Sequence, residues 1–155
     1  MSDPREPDDP IPAAIAAAWS SPEPGRLMGR GHPVGDFLEA YAWRVVETRQ
    51  GLLVLDVHLP AQVKNPRGQL FGGFTPTYVD LVALHTVRAG AVRQAPRSWL
   101  ATVNMRIDYF EPVVEEFRIE SSILHRRGRT VIVETRFLGA SGTLLVFALT
   151  TLRER

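Results

Sequence analysis

Asp80 is a carboxylate set among residues that normally exclude one. It lies within Tyr78-Val79-Asp80-Leu81-Val82-Ala83-Leu84-His85, whose apolar side chains would cover nearly every face of a helix. A helix that is apolar all round is a buried helix, and an Asp is almost never fully buried unless something stabilises it. Just upstream stands the pair Gly72-Gly73. Glycines let an incoming oxygen approach the backbone closely, and the N–H groups that open a helix have no acceptor within it. A carboxylate base and a row of free N–H donors, about two helical turns apart, are the parts that acyl transfer needs. The dipole at the helix start favours the charged carboxylate, while burial opposes it. A second reading makes Asp80 a structural acid bonded to the loop before its helix.

The elements around Asp80 follow from local signals. Asn65-Pro66, Gly68 and Gly72-Gly73 are turn chemistry. Thr75 reads as an N-cap and Pro76 as the first helical residue, where a missing N–H has no consequence. Arg88 and Gly90 supply the end of the helix. Before it, residues 41–48 and 52–59 read as two strands joined by a turn at Arg49-Gln50-Gly51. After it, residues 91–98 form a connection and the rest is almost all strand: 99–110, 117–125, 130–138 and 143–152. The first of these alternates Val103, Met105, Ile107 and Tyr109 against Thr102, Asn104, Arg106 and Asp108. Its polar face therefore carries Thr102 together with Asn104 and Arg106. Six strands and one long apolar helix predict an α+β architecture, an antiparallel sheet of about six strands wrapped around a central helix, known as the hotdog fold.

The first 35 residues read differently. Seven of the twelve prolines lie at or before Pro33, and the start is acidic. Ala13 to Trp19 is an apolar run that predicts a short helix; the remainder reads as loop or tail. The domain reading is thus a partly flexible proline-rich extension over 1–35 and a folded domain over 36–155, with the extension lying across that domain or a partner subunit.

Composition narrows the function. With 45% hydrophobic and 23% charged residues, the 155-residue chain is globular and long enough for a real core. A net charge of +1 gives no bulk attraction to nucleic acid. The absence of cysteine removes disulfides, thiolate metal sites and a cysteine nucleophile. His32, His58, His85 and His125 have no metal-ligand spacing, so no metal is predicted. No apolar run is long enough for a membrane span and the start does not read as a signal peptide; the expected location is cytoplasmic.

Taken together, Asn65-Pro66-x-Gly68-x-x-Phe71-Gly72-Gly73 followed by Asp80 resembles the signature of hotdog-fold acyl-CoA thioesterases of the phenylacetate-pathway (PaaI-like) type. That family reads Asn-x-x-Gly-x-x-His-Gly-Gly, then an acidic residue seven positions after the second glycine. The stretch from Ala101 to Pro112 resembles its third strand, and the likeness covers roughly residues 37–153. It implies an acyl-CoA substrate with an aromatic or medium-length acyl group, and no cofactor. It implies roles for named residues: Asp80 as general base or nucleophile, the Gly72 N–H polarising the carbonyl, Asn65 positioning carbonyl or water, and Thr102 holding the water. It also implies a homodimer or homotetramer in which Asp80 and Thr102 meet from different chains. The family's His is Phe71 here. Phe71 and Gly73 are candidate substrate contacts, and Arg126, Arg127 and Arg129 are candidate partners of the CoA phosphates; a solvated basic turn is the other reading of that triplet.

Two other functions compete. A hydratase could use Asp80 and His85, but five residues along a helix set two side chains about 140° apart. A domain that binds an acyl ligand without turnover would fit the loss of the family's His at Phe71. For Asp56 and His58, on one strand face, a solvent-facing or interface pair is the expectation.

Overall fold

Residues alternating between apolar and polar make strands with one face to bury, and a single helix apolar on most sides is what buries it. A computed structural model describes residues 13–21, 23–90 and 99–154. The acidic start (1–12) and the predicted connection at 91–98 lie outside the described residues. The elements run α1 (Ala13–Ala18), α2 (Pro33–Phe37), β1 (Arg44–Arg49), β2 (Leu52–Val57), α3 (Thr75–Arg88), β3 (Leu100–Tyr109), β4 (Phe117–Arg127), β5 (Thr130–Leu138) and β6 (Leu144–Glu154). The six strands form one sheet in the order β1-β2-β4-β5-β6-β3, every neighbouring pair antiparallel. The sheet packs around α3, which lies against β2 to β6. This is the hotdog fold.

Helix α3 is sealed on most sides. Tyr78, Val79, Leu81, Val82 and Ala83 are buried, each large apolar side chain contributing roughly 1.5–3 kcal/mol relative to exposure. Tyr78 stacks on Trp43, meets Phe137 edge-on and Phe117 at a tilt, so the core is aromatic at its centre. Thr77, Asp80, Leu84 and Val87 recur at helical spacing and are only half-buried. They form the one open stripe of the helix.

Two expectations change. Thr75 is not the N-cap: it is already helical at φ −52°, ψ −44° and Phe74 stands at the cap position. A short 3₁₀ turn over Gly72–Phe74 runs straight into α3, which removes the need for a side-chain cap. Among the described residues of the N-terminal extension, several pack on the domain. Ala18 and Met28 are buried, Trp19 and Leu27 pack against the same core, and the Val45 N–H donates to the Gly25 carbonyl at 2.8 Å.

The second change concerns β3. Its pairing with β6 slips by one residue between Thr102 and Asn104, a β-bulge. Val103 is the extra residue and stands 62% exposed. Side-chain parity reverses across it. Thr102 pairs with Leu152 and Met105 with Thr150, two β6 residues on the buried face. Thr102 therefore shares a face with Met105, towards α3, and not with Asn104 and Arg106.

Candidate active site

The loop before α3 is held by its own polar groups. Asn65 Oδ1 accepts the N–H groups of Arg67 and Gln69 at 2.9 and 3.1 Å, an Asx turn. Gly68 at φ 75° closes that turn with its N–H on the Asn65 carbonyl at 2.9 Å. Asn65 is thus spent on the loop; its carbonyl oxygen points at its own backbone and not at a substrate. Leu70 and Phe71 then anchor the chain, their N–H groups donating to Val113 and Val63 carbonyls at 2.8 Å each.

At Gly72 the chain turns into the helix. The first N–H groups of a helical turn have no partner within it, and among the described residues no acceptor faces those of Gly72 and Gly73. Tyr109 ties the turn to β3 by donating its hydroxyl to the Gly72 carbonyl at 2.9 Å. Phe71 is 54% exposed and its ring lies over Gly73: a Cβ at that position would stand 2.8 Å from the ring's Cε1. An Ala there must displace the Phe71 ring.

Asp80 sits on the open stripe, about two turns further along, and Thr102 reaches it from β3. The Thr102 hydroxyl donates to Asp80 Oδ1. Both residues belong to one chain. The expected meeting across a subunit interface rested on placing Thr102 on the outer face; the bulge at Val103 turns it inward instead. The pair borders a cleft of about 470 Å³ between the stripe of α3, the start of β3 and the N-terminal segment. The remaining walls are mainly apolar: Leu81, Leu84, Met105, Val34 and Trp19.

His32 also lines this cleft, and the sequence reading passed over it. It caps α2, its Nδ1 accepting the Gly35 N–H at 3.0 Å. The available signal was local: His32-Pro33 precedes a helix start, and a side chain that accepts from the third residue on is a cap.

Other candidates lie apart. His85 is buried with Nδ1 against the Leu81 carbonyl at 2.9 Å, so it and Asp80 do not form the pair a hydratase would need. Asp56 is bound by Arg118 at 2.8 Å and by Arg44; the Arg118 guanidinium holds its carboxyl below the usual range. His58 lies between Glu39 and Glu115, 3.2 Å from each. Among the described residues no group of His, Asp and Glu could hold a metal ion. No described helix is long and apolar enough to cross a membrane. Arg126, Arg127 and Arg129 lie at or beside the β4–β5 turn. The register Thr130↔Arg153↔Ala101 puts that turn at the Thr102 end of the sheet. Arg126 pairs with Glu154 at 3.4 Å; Arg127 and Arg129 have no side-chain partner among the described residues.

Comparison with known proteins places this geometry. The chain is similar to zebrafish thioesterase superfamily member 2, at 20% identity over 92% of this chain and 94% of that one, with a TM-score of 0.66. A hypothetical thioesterase from Streptococcus pneumoniae, solved with coenzyme A, matches at 16% identity over 73% and 85% of the two chains, TM-score 0.64. The mouse thioesterase superfamily member 2 matches at 20% identity over 77% and 86%, TM-score 0.64. These likenesses establish the fold. No curated protein matches the sequence. The family model of the Thioesterase superfamily matches residues 67–146, more than half of the chain and the span that holds Gly72, Asp80 and Thr102. The chain belongs to the Thioesterase superfamily.

Proposed function

We propose that the protein hydrolyses acyl-CoA thioesters at the Asp80–Thr102 cleft, as a member of the PaaI-like type. One observation carries this reading: the open stripe of an otherwise buried helix presents a carboxylate, hydrogen-bonded to a hydroxyl, at a cleft with apolar walls. Family membership supports the reaction class, and the pneumococcal structure with coenzyme A supports the substrate class. Thr102 occupies Oδ1 of Asp80 and leaves Oδ2 for a water molecule. Asp80 takes a proton from that water as its oxygen adds to the thioester carbon. The carbonyl oxygen becomes an oxyanion, which the N–H groups of Gly72 and Gly73 stabilise. Collapse breaks the C–S bond, and the CoA sulfur leaves as thiolate and takes up the proton that Asp80 gained, which restores the carboxylate. Nothing in this sequence needs a metal or a cofactor.

Supporting roles follow. Phe71 cannot donate a hydrogen bond, so polarisation of the carbonyl falls to the backbone; its exposed ring offers an apolar contact beside Gly73. The basic turn of Arg126, Arg127 and Arg129 holds the CoA phosphates. Asn65 keeps a role through the loop it rigidifies. The location is cytoplasmic and the assembly a homodimer or homotetramer. Support for self-association is β3, an unpaired edge strand bearing exposed Val103 and Tyr109, with exposed Phe110 just beyond it; such edges need covering. Sedimentation at micromolar concentration is expected to give a dimer or tetramer, and a monomer would remove this part.

The test is thiol release from a panel of aromatic and medium-chain acyl-CoA thioesters. Thiol release by the unaltered protein, lowered on the order of 10²–10⁴ in kcat by Asp80→Asn, is the expected result. Tight binding with no thiol release would give the ligand-binding reading its place, and hydration of crotonyl-CoA would give the hydratase its own.

A further inference from the structure

The cleft has two ends, and only one holds the carboxylate. Asp80 lies on the first half of α3. Trp19 lies against the second half: its ring packs on His85 with centroids 4.9 Å apart, and the Arg88 guanidinium stands 4.7 Å from its ring centroid. His32 meets the same indole edge-on at 4.6 Å. Five residues of helix span about 7 Å, so Trp19 and His32 wall the cleft roughly an acyl chain's reach from Asp80.

His32 is a single polar group in that wall. Only 9% of its surface is exposed. Because Nδ1 accepts the Gly35 N–H, the ring proton sits on Nε2. Burial lowers the pKa, so the ring is neutral near pH 7. Among the described residues no acceptor faces that Nε2–H. His85 Nε2, across the indole, is sealed from solvent without a partner; His32 borders the cleft, where a ligand can reach it. Of the cleft's lining, Trp19, Val34, Leu84 and Met105 offer no strong acceptor; the acceptors, Thr77, Asp80 and Thr102, stand on the first half of α3 and the start of β3. A site built to hydrogen-bond a substrate oxygen discriminates strongly against the analogue lacking it, because its own polar group is then left unpaired.

We propose that Trp19 and His32 form a distal specificity wall that selects acyl groups bearing an oxygen at their far end, such as a terminal hydroxyl, with His32 Nε2–H donating to that oxygen and the Trp19 indole closing the cleft. This rests on the reading of Asp80 as the reacting end.

The experiment compares hexanoyl-, octanoyl- and decanoyl-CoA with their ω-hydroxy counterparts, in the full chain and in His32→Asn. Asn keeps a side-chain acceptor for the α2 cap and withdraws the ring N–H. In the unaltered protein one chain length is expected to show a hydroxyl preference of about tenfold or more in kcat/KM, and in His32→Asn that ratio falls towards one. Trp19→Ala is expected to move the preferred length upward. Non-hydrolysable thioether analogues of the same six chains are titrated calorimetrically in parallel, so the preference is read in Kd even without turnover. Hydrolysis with equal rates for the paired chains overturns the specificity wall and leaves the hydrolase standing. Preferential binding of ω-hydroxy analogues, lost in His32→Asn, without any hydrolysis does the reverse. A hydroxyl preference that survives His32→Asn, or no binding of any analogue, overturns the proposal.

Discussion

Asp80 and His85 stand five residues apart on α3 and live in different media. Asp80 is half-buried on the open stripe, faces a cleft and shares a hydrogen bond with Thr102 from another element. His85 is buried, donates its Nδ1–H to the carbonyl one turn back, and keeps Nε2 sealed without a partner. Burial drives its pKa down to about 4. Both are titratable groups on one helix, but only the first can exchange protons with a substrate. The difference is one of angular position: about 140° of helix separates the proposed reagent from a packing element.

The comparison breaks most directly at Asp80. Asp80→Asn is nearly isosteric and should keep the fold, yet cost on the order of 10²–10⁴ in kcat, the usual weight of a positioned acid–base group. If thermal unfolding moves and turnover does not, Asp80 is the structural acid and the contrast with His85 vanishes.

His85 should fail in the opposite observable. Its folded pKa of about 4 lies below the unfolded value of 6.5, so the unfolded chain binds the proton more readily. Stability is then full above pH 6.5 and falls as pH drops towards 4, by on the order of 3 kcal/mol from this group. His85→Leu should flatten that limb in urea unfolding at pH 7 and pH 4.5, and leave kcat within about twofold. An unchanged acid limb would mean that His85 is not sealed as described.

At the next level, Thr102→Val should lower kcat about tenfold by freeing Asp80 Oδ1, whereas Thr102→Ser should retain most activity. Equal rates for the two variants would detach Thr102 from the site. The smallest effect belongs to the basic turn. Replacing Arg126, Arg127 and Arg129 together by Ala should raise KM a few-fold and leave kcat nearly unchanged, because phosphates far from the thioester contact the protein alike in ground and transition states. A fall in kcat at constant KM would take the phosphates away from this turn.

Much of this arrangement was readable from the chain. Strand-forming runs located all six strands to within a few residues; five of them, β2 to β6, lie against α3, and their alternation records the buried face. The glycine pair and the turn at Asn65 were readable because backbone geometry demands particular residues there. Thr102 was assigned to the wrong face for a physical reason. In an edge strand exposed Val103 and half-buried Met105 look alike as letters, and a bulge leaves no mark in composition. His32 and Trp19 were missed because proline-rich composition speaks of local chain preference, while their position is set by contacts with residues far along the chain. Ala18, Trp19, Leu27 and Met28 were the anchors that could have argued otherwise.

The bulge at Val103 makes the site depend on a count. Point changes at this exposed position alter one side chain and leave the register intact. Losing one residue there would restore strict alternation, turn Thr102 outward and carry its hydroxyl away from Asp80, with every chemical group still encoded. Insertions and deletions in β3, and not substitutions, are therefore the changes to which the proposed chemistry is most fragile; the reading frame of the strand is itself part of the proposed site.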